Sequence, residues 1–196
     1  MLFQPDNAGN RAHKLYRRGI DACLHDYEHK DILKEMEILV QIFEDAVFAA
    51  IAAIGFSAIS NPPKIAFKYC ALIAAIGHAL RYCLTTLWGV HLVWGSFISA
   101  FVIGCLAVYF ARKVKCPPET FAYPSLLPMI PGIYAYRSLQ AFLMLLGQGN
   151  EADFSHYAYL LQFNGLTCIF VVFAMVLGQM IPIFLFKRKS FSATRG

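Results

Sequence analysis

The stretch that decides the fold runs from Leu126 to Ala141, with the sequence LLPMIPGIYAYRSLQA. It is apolar enough to lie in lipid, yet it contains Pro128, Pro131 and Gly132. Proline removes an amide donor and clashes with the preceding turn, so these residues predict a break in a membrane helix. Backbone groups freed by a break have no water to bond in hydrocarbon, so they must be buried in protein or line a polar cavity. We therefore expect the other helices to be arranged around this segment.

A helix that restarts at Pro131 would present free N–H groups and a partial positive charge in its first turn. Arg137 lies about two turns further along the same helix. A positive helix end beside a guanidinium is typical of carboxylate sites in discontinuous membrane helices. The stretch thus predicts substrate-binding residues, namely Pro131, Gly132, Tyr134 and Arg137. The competing interpretation is a proline-kinked helix whose arginine reaches the headgroups or an internal acid.

The composition around this stretch is that of an integral membrane protein. The chain is 58% hydrophobic with a mean hydropathy of +0.53, whereas soluble domains are roughly 45–50% apolar. Four of its six cysteines fall inside apolar runs, so we expect no disulfide scaffold. The net charge of +5 comes mainly from short loops and the tail, and indicates topology rather than nucleic-acid binding. We expect no cleavable leader.

Five apolar segments approach the ~20 residues that cross a bilayer core. We predict an all-α membrane bundle of five transmembrane helices, the fourth broken at the Pro-x-x-Pro-Gly motif. The predicted spans are residues 42–60, 65–87, 92–111, 125–147 and 158–186. The predicted domains are a soluble amphipathic tail (1–36), the membrane domain (37–189) and a cytoplasmic tail (190–196). The first tail contains Cys23, His25, Asp26 and His29, but their spacing is too loose for a closed metal site.

Basic residues alternate between the joints of these spans. They occur at Lys64, at 112–115 and at 187–189, whereas the joints after the second and fourth spans have neither Lys nor Arg. The positive-inside rule then places the C-terminus in the cytoplasm and, with five spans, the N-terminus outside. Six Lys or Arg residues in the first tail oppose this assignment. Four of those lie more than about 20 residues from the first span, where the rule weakens.

Two ionisable residues lie well inside the second predicted span. His78 and Arg81 are three positions apart and share one helix face, where a charge costs about 2.5–3.5 kcal/mol. Asp45, in the first span, is the best candidate partner. Two interpretations remain open, an ion pair that only holds two helices together, or a proton-coupling site at Asp45 and His78. A histidine beside a carboxylate titrates near neutral pH. Arg81 is a second candidate for binding substrate.

Small residues recur at four-residue intervals in three spans, which favours close helix packing or an oligomer. These stripes are Ala49, Ala53, Ser57; Ala71, Ala75, Ala79; and Ser96, Ala100, Gly104. No H-E-x-x-H, G-x-S-x-G or G-x-x-x-x-G-K motif occurs. We therefore expect neither an enzyme nor a cofactor.

Two segments taken in order, NPPKIAFKYCALIAAIGHALR (Asn61–Arg81) and PMIPGIYAYRSL (Pro128–Leu139), resemble the threonine/serine exporter (ThrE) family. Within it the chain is similar to the YjjB-like small subunit over about 44–187, and residues 1–36 are extra. The resemblance implies a five-span half in the bacterial inner membrane that works with a larger, YjjP-like membrane subunit. It further implies export of small amino acids or of dicarboxylates such as succinate.

These observations predict a membrane subunit of a secondary, proton-coupled exporter for small carboxylate-bearing solutes. The partners we expect are the second membrane subunit, the solute and the lipid bilayer, with no nucleic acid. The alternative is a structural or assembly subunit without a transport path of its own.

Overall fold

The computed structural model describes residues 7–59, 62–147 and 151–186, and side chains from residue 32 onward. These residues form six α-helices and no β-strand, which confirms the all-α prediction. The helices are α1 (Asn7–Ile59), α2 (Lys64–Tyr82), α3 (Leu92–Val114), α4 (Glu119–Leu126), α5 (Gly132–Leu146) and α6 (Glu151–Leu185). A π-helical turn, Cys83–Leu87, continues α2, and a 3-10 turn, Leu127–Met129, continues α4.

The chain divides into two compact units, Met1–Gln41 and Ile42–Gly196. The first unit contributes the N-terminal part of α1. The second contains the remaining helices and every contact described below. The predicted amphipathic face and the cysteine–histidine group of the first tail involve side chains before residue 32. Those predictions, and the tail at 190–196, lie outside the described residues.

Within the described parts of the chain, four helices are long and apolar enough to cross a membrane. They are Ile32–Ile59, Lys64–Leu87, Leu92–Val114 and Glu151–Leu185, at the first, second, third and fifth predicted spans. The region predicted as the fourth span, 125–147, holds the end of α4, the 3-10 turn and α5. α4 has 8 residues and α5 has 15, fewer than the ~20 of a single spanning helix. The fifth crossing therefore stays a prediction.

The backbone leaves helical geometry between α4 and α5. The 3-10 turn ends at Met129, and Ile130 and Pro131 take ψ angles of 129° and 69°. The N–H of Gly132 donates a hydrogen bond to the Ile130 carbonyl at 2.8 Å. α5 then begins without a side-chain cap. This segment places two helix ends, one of carbonyls and one of amides, next to each other in the chain.

α3 makes its most extensive contact with α6, and glycines bring the two backbones close. A Cβ atom added at Gly104 would lie 2.5 Å from Cγ of Pro182. One added at Gly178 would lie 2.5 Å from the carbonyl oxygen of Phe97 and 3.2 Å from Cβ of Ala100. The earlier residues of α3, Phe97 and Ala100, lie beside Gly178, and the later residue Gly104 lies beside Pro182. α3 and α6 are therefore parallel.

The α4–α5 segment follows α6 in the opposite direction. The part from Tyr123 to Ile130 lines an apolar cavity of about 370 Å³ together with residues 172–180 of α6. The part from Arg137 to Met144 lines a second cavity together with Tyr157 and its neighbours up to residue 164. Residue numbers that increase through α4 and α5 therefore lie beside residue numbers that decrease along α6. The segment is thus antiparallel to α6 along most of that helix.

Side-chain hydrogen bonds link α1, α2 and α4. The hydroxyl of Ser57 donates to the Cys70 sulfur at 3.6 Å, and the Cys70 thiol donates to the carbonyl of Thr120 at 3.6 Å. The hydroxyl of Ser125 lies 2.9 Å from the Cys70 carbonyl oxygen. Cys70 thus contacts the start of α4, and Arg81, further along α2, contacts Met129 beyond the end of α4. α2 and α4 are parallel.

Two of the three predicted small-residue stripes are buried. Ala53 and Ser57 are fully buried on α1, and Ser96 and Ala100 on α3. The α2 stripe, at Ala71, Ala75 and Ala79, is only half-buried. α2 instead buries the adjacent face, which carries Ala66, Cys70, Ile73, Ala74 and Gly77. The stripes on α1 and α3 are thus packed as predicted, whereas on α2 the most deeply buried face lies beside the predicted stripe.

We expect Gly178→Ala to destabilise the protein by about 1–3 kcal/mol, because the added methyl group meets the Phe97 carbonyl of α3. Gly55→Ala is the matched control, since nothing lies within 4 Å of a Cβ added there. Thermal unfolding of the purified protein in detergent measures both variants. Equal stability of the two would show that α3 and α6 tolerate a wider separation.

Candidate functional site

A group of ionisable side chains joins α1 to α2. Nδ1 of His78 lies 3.2 Å from Oδ2 of Asp45. His78 is buried, and the Asp45 side chain is 38% exposed. Arg81 is close enough to Asp45 for their opposite charges to attract. The structure thus brings together Asp45, His78 and Arg81, which we call the α1–α2 ionic group.

Arg81 also contacts the break between α4 and α5. Its Nη1 donates a hydrogen bond to the backbone carbonyl of Met129 at 2.6 Å. Met129 is fully buried at the end of the 3-10 turn. Carbonyls at a helix end lack intrahelical donors and carry partial negative charge. A guanidinium there supplies a hydrogen-bond donor and a compensating positive charge. Arg81 therefore holds the carbonyl end of the α4 segment against α2.

The second nitrogen of His78 is free among the residues that the structure describes. Its Nε2 is buried and has no hydrogen-bond partner there. Because the Asp45 carboxylate accepts from Nδ1–H, the neutral ring carries its lone pair on Nε2. A proton taken up at Nε2 would add one positive charge beside Arg81. Nε2 is therefore the His78 nitrogen that no described residue bonds.

A second polar group lies between α5 and α6. Arg137 is exposed on α5 and lines a cavity of about 320 Å³ with Gln140 and, from α6, Tyr157 and Asn164. This volume is at the small end of the roughly 300–1,000 Å³ usual for ligand sites. The Asn164 amide nitrogen donates to the Leu160 carbonyl at 2.7 Å. The cavity therefore brings one cation together with amide and hydroxyl side chains, beside the apolar Ala141, Met144 and Leu160.

The predicted site residues fall into two different groups of contacts. Arg81 belongs to the α1–α2 ionic group, and Arg137 to the α5–α6 cavity. Pro131 and Tyr134 are half-buried, and Gly132 is exposed at the start of α5.

Gln140, Tyr157 and Asn164 were not among the predicted site residues. The first could have been found from the sequence, because a residue three positions after Arg137 shares its helix face. The other two depend on which helix packs against α5, and local spacing does not determine that.

Comparisons with known proteins agree with a membrane transport role. A family model described as threonine/serine exporter, ThrE, matches residues 45–185. Over 152 residues the chain is 32% identical to an uncharacterized protein of Haemophilus influenzae. That match covers 77% of this chain and 50% of the relative, so the chain spans about half the length of that protein. No solved structure matches.

We expect Arg81→Met to destabilise the protein by about 1–3 kcal/mol, because it leaves the buried Met129 carbonyl without its donor. Arg137→Met makes the same chemical change at an exposed arginine and should stay within about 0.5 kcal/mol. Thermal unfolding in detergent compares the two variants. A stable Arg81→Met protein would show that the carbonyl finds another donor or does not need one.

Proposed function

Because the chain belongs to the threonine/serine exporter family, we propose that it is a membrane subunit of a secondary exporter for small carboxylate-bearing solutes. Threonine, serine and a dicarboxylate such as succinate are the candidate solutes. The family consists of transporters, and this supports a role other than catalysis. The observation that carries the proposal is the α5–α6 cavity, which Arg137 lines together with Gln140, Tyr157 and Asn164.

In this proposal α4 and α5 together form one broken crossing, the fourth of five. Two parallel helices that both span a membrane require the chain between them to return across it. α3 and α6 are parallel, and the α4–α5 segment is what connects them. Its antiparallel course along α6 supports a full return. A crossing broken near the solute site is a recurring feature of secondary transporters.

The charge pattern supports the same count and orients the chain. With five crossings, Lys64 and the basic residues at 112–115 and 187–189 all lie on one side, which the positive-inside rule assigns to the cytoplasm. With four, the basic tail after α6 would fall on the opposite side from residues 112–115. We therefore propose a bacterial inner-membrane protein with its N-terminus outside and its C-terminus in the cytoplasm.

The carboxylate of the solute binds Arg137 in this proposal. A guanidinium offers a planar pair of donors that matches a carboxylate, and the first turn of α5 adds positive potential. Pro131, Gly132 and Tyr134 shape that first turn. Gln140, Tyr157 and Asn164 supply hydrogen bonds for the hydroxyl or amino group of the solute.

The α1–α2 ionic group provides proton coupling. Nε2 of His78 is the atom that gains and loses the proton, and Asp45 stabilises the charged ring through Nδ1. A protonated His78 repels Arg81, which holds the Met129 carbonyl at the break. Protonation of His78 would therefore weaken the hold of Arg81 on the break, from which α5 and Arg137 continue. This sequence of contacts connects the proton site to the solute site through the chain itself.

The exporter is completed by a second, larger membrane subunit of the YjjP-like type. The chain spans half of its Haemophilus influenzae relative, which leaves a comparable length of that protein without a counterpart here. α5 packs mainly on α6, and its other face exposes Ile133, Tyr136 and Leu143. These side chains offer an apolar surface for the second subunit or for an oligomer of the exporter.

The alternative is an assembly subunit without a path of its own. The Arg81 contact with Met129 favours it, because this contact stabilises the fold whether or not solute passes. In that case the α1–α2 ionic group only pairs helices. Export per folded molecule then becomes the measurement that separates the two functions.

The proposed topology predicts which positions are reached from outside the cell. In a cysteine-free background, a membrane-impermeant thiol reagent should modify Glu151→Cys and spare Lys113→Cys, because one α4–α5 crossing separates them. Permeabilised cells are the control, and there both positions should react. The reverse pattern would invert the orientation, and identical behaviour of both positions in intact cells would reject the fifth crossing.

The solute site predicts graded effects at Arg137. In cells that also express the larger subunit, Arg137→Gln should lower export of the solute about tenfold or more, since a charged hydrogen bond contributes about 1.5–3 kcal/mol. Arg137→Lys keeps the charge but loses the planar pair of donors, so its loss should be intermediate. Efflux of labelled serine, threonine and succinate, divided by the amount of folded protein, is the readout.

Arg112→Gln is the matched control for this experiment, because it removes an exposed arginine from a joint outside the cavity. It should export at the parent rate. Arg137→Gln protein that is present at normal level and exports like the parent would remove Arg137 from the site.

A further inference from the structure

Four buried side-chain atoms have no hydrogen-bond partner among the described residues, and one of them belongs to a residue that lines a cavity. The four residues are His78, Ser96, Ser99 and Gln179. Gln179 lines the apolar cavity that α6 forms with residues 123–130, which we call the α4–α6 cavity. Gln179 is 1% exposed, and its unpaired atom is the amide nitrogen Nε2. A buried donor without an acceptor loses its hydration without compensation, so an occupant that brings an acceptor would be stabilised there.

The α4–α6 cavity has a buried floor and an exposed rim. Its floor contains Leu126, Met175 and Gln179, which are at most 8% exposed. The residues of the rim are 38–47% exposed, and they are Tyr123, Leu127, Ile130 and Val176. The opening of the cavity therefore lies on the outer surface of the helix bundle. In a membrane protein this surface faces lipid, so bilayer lipids are the molecules that reach the opening.

The lining of the cavity favours a hydrocarbon chain over a charged solute. Apart from Tyr123 and Gln179, every lining residue is aliphatic or a methionine. An ion that entered would lose its hydration without gaining an opposite charge. The volume of about 370 Å³ lies within the roughly 300–1,000 Å³ usual for ligand sites. The cavity thus suits an apolar chain that carries a hydrogen-bond acceptor.

The depth of the cavity indicates the source of such a chain. α4 begins at Glu119, shortly after the basic joint at residues 112–115. At a rise of about 1.5 Å per residue, Tyr123 lies about 6 Å and Ile130 about 16 Å along the segment from this start. The second distance is close to half of the ~30 Å hydrocarbon core. An acyl chain that descends from a headgroup at the basic joint therefore runs along the whole cavity.

The basic joint carries the charge that an anionic headgroup needs. Arg112, Lys113 and Lys115 are exposed at the end of α3, and Glu119 is the one acidic residue that follows them before α4. Clusters of basic residues beside a membrane helix attract anionic lipids. The charge of this joint therefore complements a phosphate whose acyl chain enters the cavity.

Gln179 lies towards the headgroup end of the cavity. α6 is antiparallel to the α4–α5 segment, so its later residues lie beside Tyr123 and its earlier residues beside Ile130. Gln179 is about 9 Å from the end of α6 at Leu185. The ester carbonyls of a phospholipid join its phosphate-bearing end to its chains, so they are the acceptors nearest to this amide.

We propose that the α4–α6 cavity binds one acyl chain of an anionic phospholipid. The phosphate lies at the basic joint, and an ester carbonyl accepts a hydrogen bond from Nε2 of Gln179. The chain also contacts Leu127 and Ile130, which lie on either side of Met129 in the sequence, and it thus packs against the break between α4 and α5. This lipid site depends on the membrane character of the chain and not on the exporter function proposed above.

The test counts lipids bound to the purified full chain in detergent, by native mass spectrometry during a lipid titration. Dioleoyl phosphatidylglycerol is the anionic probe. Dioleoyl phosphatidylcholine has the same chains and a zwitterionic headgroup, and serves as its control. The first bound phosphatidylglycerol should have an affinity about tenfold higher than that of phosphatidylcholine, because the basic joint attracts its net charge. Equal affinities would overturn the proposal.

Val176→Trp tests the cavity itself. The larger side chain occupies the opening and should lower the affinity for phosphatidylglycerol about tenfold or more, because it clashes with the chain. Val47→Trp is the matched control, since Val47 lies on α1 outside the cavity and is 39% exposed, compared with 44% for Val176. It should bind like the parent. An equal effect of both substitutions would mean that lipid covers the bundle without entering the cavity, and the inference would be wrong.

Gln179→Leu tests the amide at nearly constant side-chain volume. It should lower the affinity for phosphatidylglycerol about tenfold, because the hydrogen bond to the ester carbonyl is lost. Without lipid this variant should be at least as stable to heat as the parent, because it removes an unpaired buried donor. Ser99→Ala removes another unpaired buried atom outside the cavity and should leave lipid binding unchanged. Gln179→Leu protein that binds phosphatidylglycerol like the parent would contradict the proposed site.

Discussion

The fold depends on hydrogen bonds to the free backbone groups at the break between α4 and α5. A helix that ends in the interior of the protein leaves carbonyls without intrahelical donors. Here the Arg81 guanidinium donates to the carbonyl of Met129. The same side chain is attracted by Asp45, which also pairs with His78. One arginine therefore allows the chain to break, and joins that break to the ionisable residues of α1 and α2.

This arrangement separates the two polar groups while keeping them connected through the backbone. The α1–α2 ionic group lies on the carbonyl side of the break, and Arg137 lies beyond it, on α5. α5 packs mainly on α6, whereas α4 packs on α2 and α3. The two halves of the broken segment thus belong to different parts of the bundle.

Close packing in the bundle leaves little space for polar groups, so buried polar atoms without a hydrogen-bond partner are informative. The α3–α6 contact is built on Gly104 and Gly178, where an added Cβ would meet the facing helix. The hydrogen bonds of Ser57 and Cys70 satisfy the polar atoms between α1, α2 and α4. Four buried side-chain atoms of the described residues have no hydrogen-bond partner, and they belong to His78, Ser96, Ser99 and Gln179.

The sequence by itself predicted the all-α character, and four of its five predicted spans are long apolar helices, because hydropathy and helix length are local properties. It also named Asp45 as the partner of His78, because a charge inside a span needs an opposite charge nearby. It also listed both Arg81 and Arg137 as candidate substrate residues. Only the tertiary structure decided which face α2 buries, that Arg81 bonds the Met129 carbonyl, and that Arg137 shares a cavity with Tyr157 and Asn164. Which helix meets which, and at what rotation, depends on the packing of all helices at once, and periodicity within one helix does not contain that information.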